Sequence, residues 1–357
     1  MKAGNMAGLL LYCRGGFESE CAAEIQGHAA RLGVAGFVKA KADTGFVVLE
    51  TYEAEAAARL HDVLPFAELI FVRQWFVITA WLSGLPVTDR VTALVAGAGV
   101  LPEAPRAIFL ETPDTNEGKE LSGLCRALRK PLDSAYRINA EVIPSAGIRL
   151  HICFLSGTSA YVGYAAVRNS AAWPMGIPRL KSPHGAPSRS TLKLDEALLE
   201  FLGPAEREAF LRPGMRAVDL GAAPGGWTWQ LVRRHIRVIA VDNAAMDDRL
   251  LESGLVEHVR ADGFRYRPKE AVDWMVCDIV EQPIRVAELA AAWVTEGWCR
   301  HTVFNLKLPM KKRYQEVQRC LAQVREKLDD AGLRYHLTCK QLFHDREEVT
   351  VYLRREG

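Results

Sequence analysis

The stretch from Val218 to Thr228 limits the possible folds of this chain more than any other part of its sequence. It contains Val-Asp-Leu-Gly-Ala-Ala-Pro-Gly-Gly-Trp-Thr in that order. The apolar residues up to Leu220 are typical of a buried parallel strand, and Trp227 begins an apolar helical face. The small residues between them let a ligand approach the backbone, while Pro224 stiffens the turn. Because ligands of open α/β sheets bind beyond the carboxyl ends of the strands, this turn predicts a ligand site.

The turn differs from the common nucleotide-binding patterns. Gly221 is followed by Ala-Ala-Pro, so the dinucleotide pattern G-x-G-x-x-G is absent, and no Gly-Lys-Ser/Thr ends the stretch. The order that begins at Asp219, Asp-x-Gly-x-x-Pro-Gly-Gly-Trp, resembles the first motif of S-adenosylmethionine-dependent methyltransferases, in the version of the FtsJ-type RNA ribose methyltransferases. The resemblance implies S-adenosylmethionine as the cofactor. Taken alone, the stretch also fits a glycine-rich turn that binds nothing.

Length and composition set broad limits. A chain of 357 residues predicts two or three domains, and 49% hydrophobic with 25% charged residues is ordinary for a globular protein. The apolar residues 7–13 are too few for a signal peptide core, and no run reaches membrane-spanning length, so we expect a cytoplasmic protein without membrane contact. The eight cysteines form no C-x-x-C pair, which favours reduced thiols and no metal site. With a net charge of +2, any nucleic-acid site must be a local patch.

Two α+β units are predicted ahead of the glycine-rich turn. Residues 1–83 alternate as β-α-β-β-α-β, which indicates a ferredoxin-like domain. Residues 84–168 suggest two helices and three strands, and their position ahead of a methyltransferase-like domain resembles that of a THUMP-type RNA-binding domain. Basic residues of this second unit could contact phosphates, although a solvated basic face is an equal alternative: Arg126, Arg129, Lys130, Arg137 and Arg149.

The second half of the chain predicts a linker followed by a sheet domain. Residues 169–189 hold four prolines and interleaved basic residues, so we expect an irregular linker that could also contact RNA. Residues 190–357 alternate apolar strands with helices and predict a Rossmann-like, doubly wound α/β sheet. Ser190 is a candidate N-cap for the first helix of that domain.

Two aspartates follow strands close to the glycine-rich turn. Asp242 ends an apolar strand about 20 residues after the turn, where an acidic residue can bind ribose hydroxyls. Asp262 follows the next strand, and the resemblance implies that this position meets the adenine. Each aspartate alone could simply cap a loop. Together with the resemblance, they predict this set of cofactor-binding residues: Ser190, Gly221, Ala223, Pro224, Gly225, Gly226, Trp227, Asp242, Asp262 and Asp278.

Four charged residues resemble the Lys-Asp-Lys-Glu tetrad of the FtsJ-type 2′-O-methyltransferases: Lys193, Asp278, Lys307 and Glu348. A single charge in an apolar strand is usually paired or snorkelling, but four of the right types in the right order favour a catalytic site. The resemblance implies that Lys307 is a general base oriented by Asp278, and that Lys193 and Glu348 position the ribose. Strand alternation allows only one of Glu347 and Glu348 to face the site, and the family pattern favours Glu348.

The proposed chemistry explains why such residues are needed. A ribose 2′-hydroxyl is a poor nucleophile unless a general base removes its proton as the new bond forms. Lys307 can act as that base only when it is neutral. Burial and nearby positive charge lower the pKa of a lysine, whereas Asp278 opposes this effect.

Over its whole length, the layout resembles the bacterial large-subunit ribosomal RNA ribose methyltransferase M family. The resemblance implies 2′-O-methylation of a cytidine in 23S ribosomal RNA, before the subunit is fully assembled and without a stable protein partner. The segment after Asp278, Ile279–Pro283, departs from the Ala-Pro-like segment usual in FtsJ-type proteins. The alternatives are a 2′-O-methyltransferase of tRNA or another RNA, a non-catalytic RNA-binding protein with a relic cofactor fold, a nicotinamide-dependent oxidoreductase, and a small-molecule or protein methyltransferase.

Overall fold

The computed structural model describes residues 2–4, 7–139 and 144–356. The chain divides into two compact units, Met1–Ile177 and Pro178–Gly357. None of the helices in the described part of the chain combines the length and apolar character needed to cross a bilayer. All eight cysteines are free, and every one except Cys125 is buried.

The first unit is built around one sheet of eight strands. In sheet order the strands run β3-β4-β2-β5-β8-β7-β6, and β1 pairs with β5. The elements are β1 (Lys2–Gly4), β2 (Gly8–Tyr12), α1 (Glu18–Arg31), β3 (Gly36–Ala40), β4 (Phe46–Thr51), α2 (Ala56–Val63), β5 (Gln74–Ser83), α3 (Arg90–Ala98), β6 (Ala107–Glu111), α4 (Asn116–Glu120), α5 (Ser122–Ala135), β7 (Ile148–Ser156) and β8 (Ser159–Ala166).

The β-α-β-β-α-β order from β2 to β5 confirms the ferredoxin-like prediction. Its sheet continues through β5 into β8, β7 and β6, so both predicted N-terminal units share one sheet. A hydrogen bond between side chains of two distant strands shows that this sheet is curved. Tyr12 on β2 donates a hydrogen bond to Glu111 on β6 at 3.3 Å, although three strands separate them. The boundary near residue 83 stays a prediction.

Residues that follow β8 pack onto this first unit. The Asn169 side chain accepts a hydrogen bond from the Phe66 N–H at 2.7 Å, and the Gln74 side chain exchanges hydrogen bonds with the backbone of Ala171. Arg149 is only 4% exposed and donates to the Ala171 carbonyl at 2.7 Å. The suggestion that Arg149 contacts phosphate is therefore wrong, because its guanidinium fixes this segment.

The second unit contains a seven-stranded sheet in the order β11-β10-β9-β12-β13-β15-β14. Strands β9 to β13 pair in parallel, while β15 is antiparallel to both of its neighbours. The elements are α6 (Thr191–Phe201), α7 (Pro204–Phe210), β9 (Arg216–Leu220), α8 (Gly226–Val232), β10 (Arg237–Val241), α9 (Asp248–Leu251), β11 (Val256–Val259), β12 (Val272–Cys277), α10 (Pro283–Thr295), β13 (Cys299–Lys307), α11 (Arg313–Asp330), β14 (Arg334–Lys340) and β15 (Glu348–Glu356).

This arrangement confirms the predicted Rossmann-like sheet. The edge strand β14 was not predicted, because most of its residues are exposed or half-buried and polar and only its last two are buried. Ser190 does occupy the N-cap position of α6, but its hydroxyl lies 2.6 Å from that of Ser188 and makes no cap hydrogen bond. The predicted capping interaction is therefore absent from Ser190.

Candidate active site

The glycine-rich turn joins β9 to α8, as its sequence predicts. Gly221 and Gly225 have φ angles of +76° and +117°, a region that residues with a side chain rarely adopt. At Gly226, an added Cβ would lie 2.2 Å from the Ser190 Oγ and 2.4 Å from the Ser188 Oγ. The segment before α6 thus crosses directly over the turn. These glycines are required by the backbone path itself, in addition to any ligand.

Asp242 lies immediately after β10 and beside the turn. Its carboxylate accepts hydrogen bonds from the backbone N–H groups of Ala223 at 3.0 Å and Ala244 at 2.8 Å. A carboxylate offers about four acceptor positions, so two stay available for hydroxyl groups. Asp262 accepts from the Phe264 N–H at 2.8 Å, and half of its side chain is exposed. Both aspartates therefore hold loops and keep acceptor capacity at the carboxyl edge of the sheet.

Asp219 is a functional candidate that the sequence analysis used only as a motif marker. The residue is 1% exposed, and its Oδ2 accepts a hydrogen bond from the Thr228 hydroxyl at 2.6 Å. Its Oδ1 is buried and has no hydrogen-bond partner among the described residues. Burial, with a smaller effect from the charges of Asp278 and Asp242, raises the pKa of Asp219 to about 7 against the opposing Thr228 hydrogen bond. Its position at the end of β9 was the available signal.

Trp227 occupies a different environment from the other predicted cofactor residues. Its side chain is 3% exposed and belongs to the core cluster that includes Leu194 and Leu231. The indole therefore fastens α8 to the sheet domain, and only the backbone of Trp227 is left to contact a cofactor.

The four tetrad residues lie together at the carboxyl edge of the sheet. The antiparallel register of β13 and β15 sets Lys307 directly opposite Glu348. Asp278 follows β12, the parallel neighbour of β13, and Lys193 comes from the first turn of α6. The Lys307 Nζ contacts the Asp278 Oδ1 and the Glu348 Oε2. The Lys193 Nζ contacts the Glu348 Oε1 and lies 3.5 Å from the Asp278 Oδ2.

Lysine and carboxylate thus alternate around a closed ring, which we call the tetrad ring. Glu348 is 3% exposed and belongs to the ring. The neighbouring Glu347 is 63% exposed and instead contacts the Arg313 guanidinium at 2.9 Å. The structure brings Glu348, and not Glu347, into contact with the two lysines.

The charge balance of the ring favours protonated lysine. Burial of Lys307 disfavours its ammonium form, as the sequence analysis expected. The charges and hydrogen bonds of Asp278 and Glu348 outweigh burial, so the pKa of Lys307 rises above its usual value. In the chain by itself, Lys307 is therefore a cation at neutral pH.

A Rossmann-like sheet with this turn and this ring defines the FtsJ-like class of methyltransferases. Three family descriptions match the chain. Residues 6–76 match the RlmM ferredoxin-like domain, residues 89–166 match the N-terminal part of ribosomal RNA large subunit methyltransferase M, and residues 186–327 match the FtsJ-like methyltransferase.

Curated relatives extend the match over nearly the whole chain. Ribosomal RNA large subunit methyltransferase M of Cellvibrio japonicus is 54% identical, with 97% of this chain and 99% of the relative covered. The protein of that name from Methylococcus capsulatus is 52% identical, with 97% of each covered. Among solved structures, TrmN from Thermus thermophilus matches 98% of this chain and 100% of its own, at 18% identity and a TM-score of only 0.34. The chain belongs to the ribosomal RNA large subunit methyltransferase M family.

Proposed function

We propose that this protein transfers a methyl group from S-adenosylmethionine to the ribose 2′-hydroxyl of a cytidine in 23S ribosomal RNA. The tetrad ring is the observation that carries the proposal. It gathers two lysines and two carboxylates at the carboxyl edge of the sheet. Asp278, one of the four, follows β12, the strand next to β9, which leads into the glycine-rich turn. The names of the relatives support ribosomal RNA as the acceptor.

The residues around the turn fit S-adenosylmethionine. The free acceptor positions of Asp242 suit the two ribose hydroxyls, and the unpartnered Oδ1 of Asp219 suits a donor group of a cationic ligand. When bound, the cofactor supplies an electrophilic methyl group carried by a sulfonium. The carboxylates of Asp242, Asp219 and Asp278 make this edge of the sheet favourable for positive charge.

Lys307 is the general base in this proposal. Its amine must first lose a proton, because the ammonium form has no lone pair to accept one. Asp278 and Glu348 fix the position of the Lys307 amine through direct contacts. Lys193 contacts both carboxylates and so prevents their full charge from acting on Lys307. Lys193 and Glu348 also position the ribose.

Binding of the RNA is assigned to two further regions. The segment after Lys307 contains the exposed side chains of Met310, Lys311 and Lys312, and its positive charge suits a phosphate backbone beside the tetrad ring. The first unit supplies most of the remaining affinity, and the protein acts in the cytoplasm on RNA that is not yet fully assembled into the subunit.

Methyl transfer from labelled cofactor tests the proposal. The acceptors are protein-free 23S ribosomal RNA, assembled large subunits and tRNA, and the product nucleosides are separated and mapped. We expect 2′-O-methylcytidine in the free 23S RNA and little transfer to the other two. Label in a base, in tRNA or in protein would contradict the proposed acceptor, and no transfer with cofactor bound would contradict the activity.

A further inference from the structure

A chain of buried polar side chains lies behind the tetrad ring. The Asn305 Nδ2 donates a hydrogen bond to the Asp278 Oδ1 at 2.9 Å. The Thr350 Oγ1 lies 2.8 Å from the Asn305 Oδ1, and 3.1 Å and 3.0 Å from the two carboxyl oxygens of Asp345. Asn305, Thr350 and Asp345 are each completely buried. None of these three residues belongs to the Lys-Asp-Lys-Glu tetrad.

Strand register explains why this chain reaches the ring. Asn305 and Thr350 are directly paired across β13 and β15, two residues from the Lys307–Glu348 pair. Side chains two residues apart on a strand point to the same face of a sheet. The two pairs therefore stand side by side on one face, and Asn305 meets the same oxygen of Asp278 that Lys307 contacts.

The number of protons on these side chains determines which group donates in each hydrogen bond of the series from Asp278 to Asp345. Asp278 contacts both lysines and is ionised, so it can only accept, and the Asn305 amide must turn its N–H₂ group toward it. That orientation leaves the Asn305 Oδ1 facing Thr350, whose hydroxyl has one proton to donate. Once Thr350 donates to Asn305, it has no proton left for Asp345. An ionised Asp345 would hold both of its oxygens about 3 Å from the Thr350 oxygen with no proton between them, which is costly in a buried site.

We infer that Asp345 is a neutral carboxylic acid that donates to Thr350, and that Thr350 and Asn305 pass this orientation on to Asp278 as positioning residues of the methyl-transfer site. The backbone N–H of Leu342 donates to the Asp345 Oδ2 at 2.9 Å, which suits Oδ2 as the carbonyl oxygen and leaves Oδ1, 3.1 Å from the Thr350 hydroxyl, to carry the proton. Burial, reinforced by the negative charges of Glu348 and Glu196, raises the pKa of Asp345 well above its usual range. The positioning role rests on the proposed function, whereas the protonation state does not.

Infrared spectroscopy of the intact protein tests the protonation state. We compare wild type with Asp345→Asn at neutral pH, using carbon-13 label in aspartate to assign the bands. We expect the wild type to show the carbonyl stretch of a neutral carboxylic acid that the variant lacks. If removing Asp345 abolishes only carboxylate bands, the inference is overturned. This readout needs neither cofactor nor RNA, so it stands even if the proposed acceptor is wrong.

Matched variants test the positioning role. Thr350→Val keeps the shape but removes the hydroxyl. Its control is Thr302→Val, which changes a buried threonine on β13 whose hydroxyl, among the residues that the structure describes, contacts only the Met275 sulfur at 3.5 Å. We expect Thr350→Val to lower the single-turnover rate about 10- to 100-fold, since small misplacements of catalytic groups have such effects. The affinities for cofactor and RNA should not change. Thr302→Val should stay within a few-fold of wild type.

Conservative variants separate positioning from general damage to the fold. Thr350→Ser keeps the hydroxyl and should recover most of the rate that Thr350→Val loses. Asp345→Asn keeps one donor and one acceptor, and should retain more activity than Asp345→Leu. A Thr350→Val enzyme with the wild-type rate, or with a loss that Thr350→Ser does not reverse, would overturn the positioning role. Thermal unfolding of each variant checks that it is folded. If the valine or leucine variant does not fold, the serine and asparagine variants still provide the test.

Discussion

At the scale of single residues, the charge of Lys307 decides how the site can work. Asp278 and Glu348 raise the pKa of Lys307, so the neutral base is a minor species at neutral pH. As long as the pH is below that pKa, the fraction of neutral amine rises about tenfold for each unit by which the pH is increased. We therefore expect the single-turnover rate to rise with pH in the same proportion. A rate that is flat between pH 6 and pH 9 would exclude a lysine base.

Substitution of Lys307 separates a base from a simple positive charge. Lys307→Ala should lower the rate by about 10²–10⁴, the usual effect of losing a general base. Lys307→Arg should be nearly as damaging, because a guanidinium stays protonated and cannot accept the proton. Single-turnover rates on one RNA, with cofactor affinity measured by calorimetry, check this. An arginine form within a few-fold of wild type would leave Lys307 only an electrostatic role.

Asp219 makes stability depend on pH in the opposite sense to an ordinary ion-paired aspartate. Its pKa is about 7 in the folded chain, whereas an unfolded aspartate titrates near pH ~4. The folded chain holds the proton more tightly, so the free energy of unfolding falls as pH rises from about 4 to 7. Asp219→Asn removes this titration and can still accept from Thr228. Denaturant unfolding gives the free energy of unfolding of Asp219→Asn relative to wild type. This difference should shift in favour of the variant between pH 4.5 and pH 8, by about 4 kcal/mol at most. Parallel stability curves would contradict the raised pKa.

At the scale of elements, the sequence predicts what depends on local pattern. Apolar strands with charged residues at their ends predicted the sheet, and the resemblance to the FtsJ-type tetrad predicted Lys193, Asp278, Lys307 and Glu348. Register is not local, and it is the pairing of β13 with β15 that sets Glu348 opposite Lys307. The same pairing joins Asn305 to Thr350, which no spacing in the sequence indicates.

Long-range contacts explain the remaining errors of the sequence analysis. Arg149 has the sequence environment of a basic surface residue, and its burial together with its hydrogen bond to the Ala171 carbonyl shows that it is structural. Trp227 packs its side chain against α6 in the core, as the predicted apolar helical face requires, and its backbone stays a predicted cofactor contact. The contact of Arg149 with Ala171 cannot be inferred from residues nearby in the sequence.

The crossing of the α6 segment over the turn gives a prediction at this scale. Gly226→Ala places a Cβ against Ser188 and Ser190, so the two segments must separate. We expect a loss of about 1–3 kcal/mol in stability, as for other overpacked sites, together with weaker binding of S-adenosylmethionine. The control is Gly123→Ala, a helical glycine with open space around its Cβ position, which should be neutral or slightly stabilising. Unchanged cofactor affinity in Gly226→Ala would show that the glycine-rich turn is not part of the cofactor site.

At the scale of the whole molecule, the two units predict a division of labour. Each has its own sheet and its own buried core, so residues 178–357 should fold as a separate fragment. That fragment contains the turn, Asp242 and the complete tetrad ring, and it should bind S-adenosylmethionine as the full chain does. It lacks the first unit and should lose most of its activity on ribosomal RNA at low RNA concentration.

Salt dependence identifies what the first unit contributes. Each phosphate contact releases bound counterions. In a plot of log RNA affinity against log salt concentration, each contact therefore contributes a slope of about −0.7 to −0.9. If the first unit supplies phosphate contacts, the full chain should show a steeper dependence of RNA affinity on salt than the fragment. At saturating RNA the fragment should regain much of its single-turnover rate, because the ring to which we assign the chemistry is intact. A fragment that matches the full chain in affinity, salt dependence and rate would show that RNA is held by the second unit alone. A fragment that binds cofactor but stays inactive at saturating RNA would mean that the first unit orients the nucleotide as well as binding the RNA.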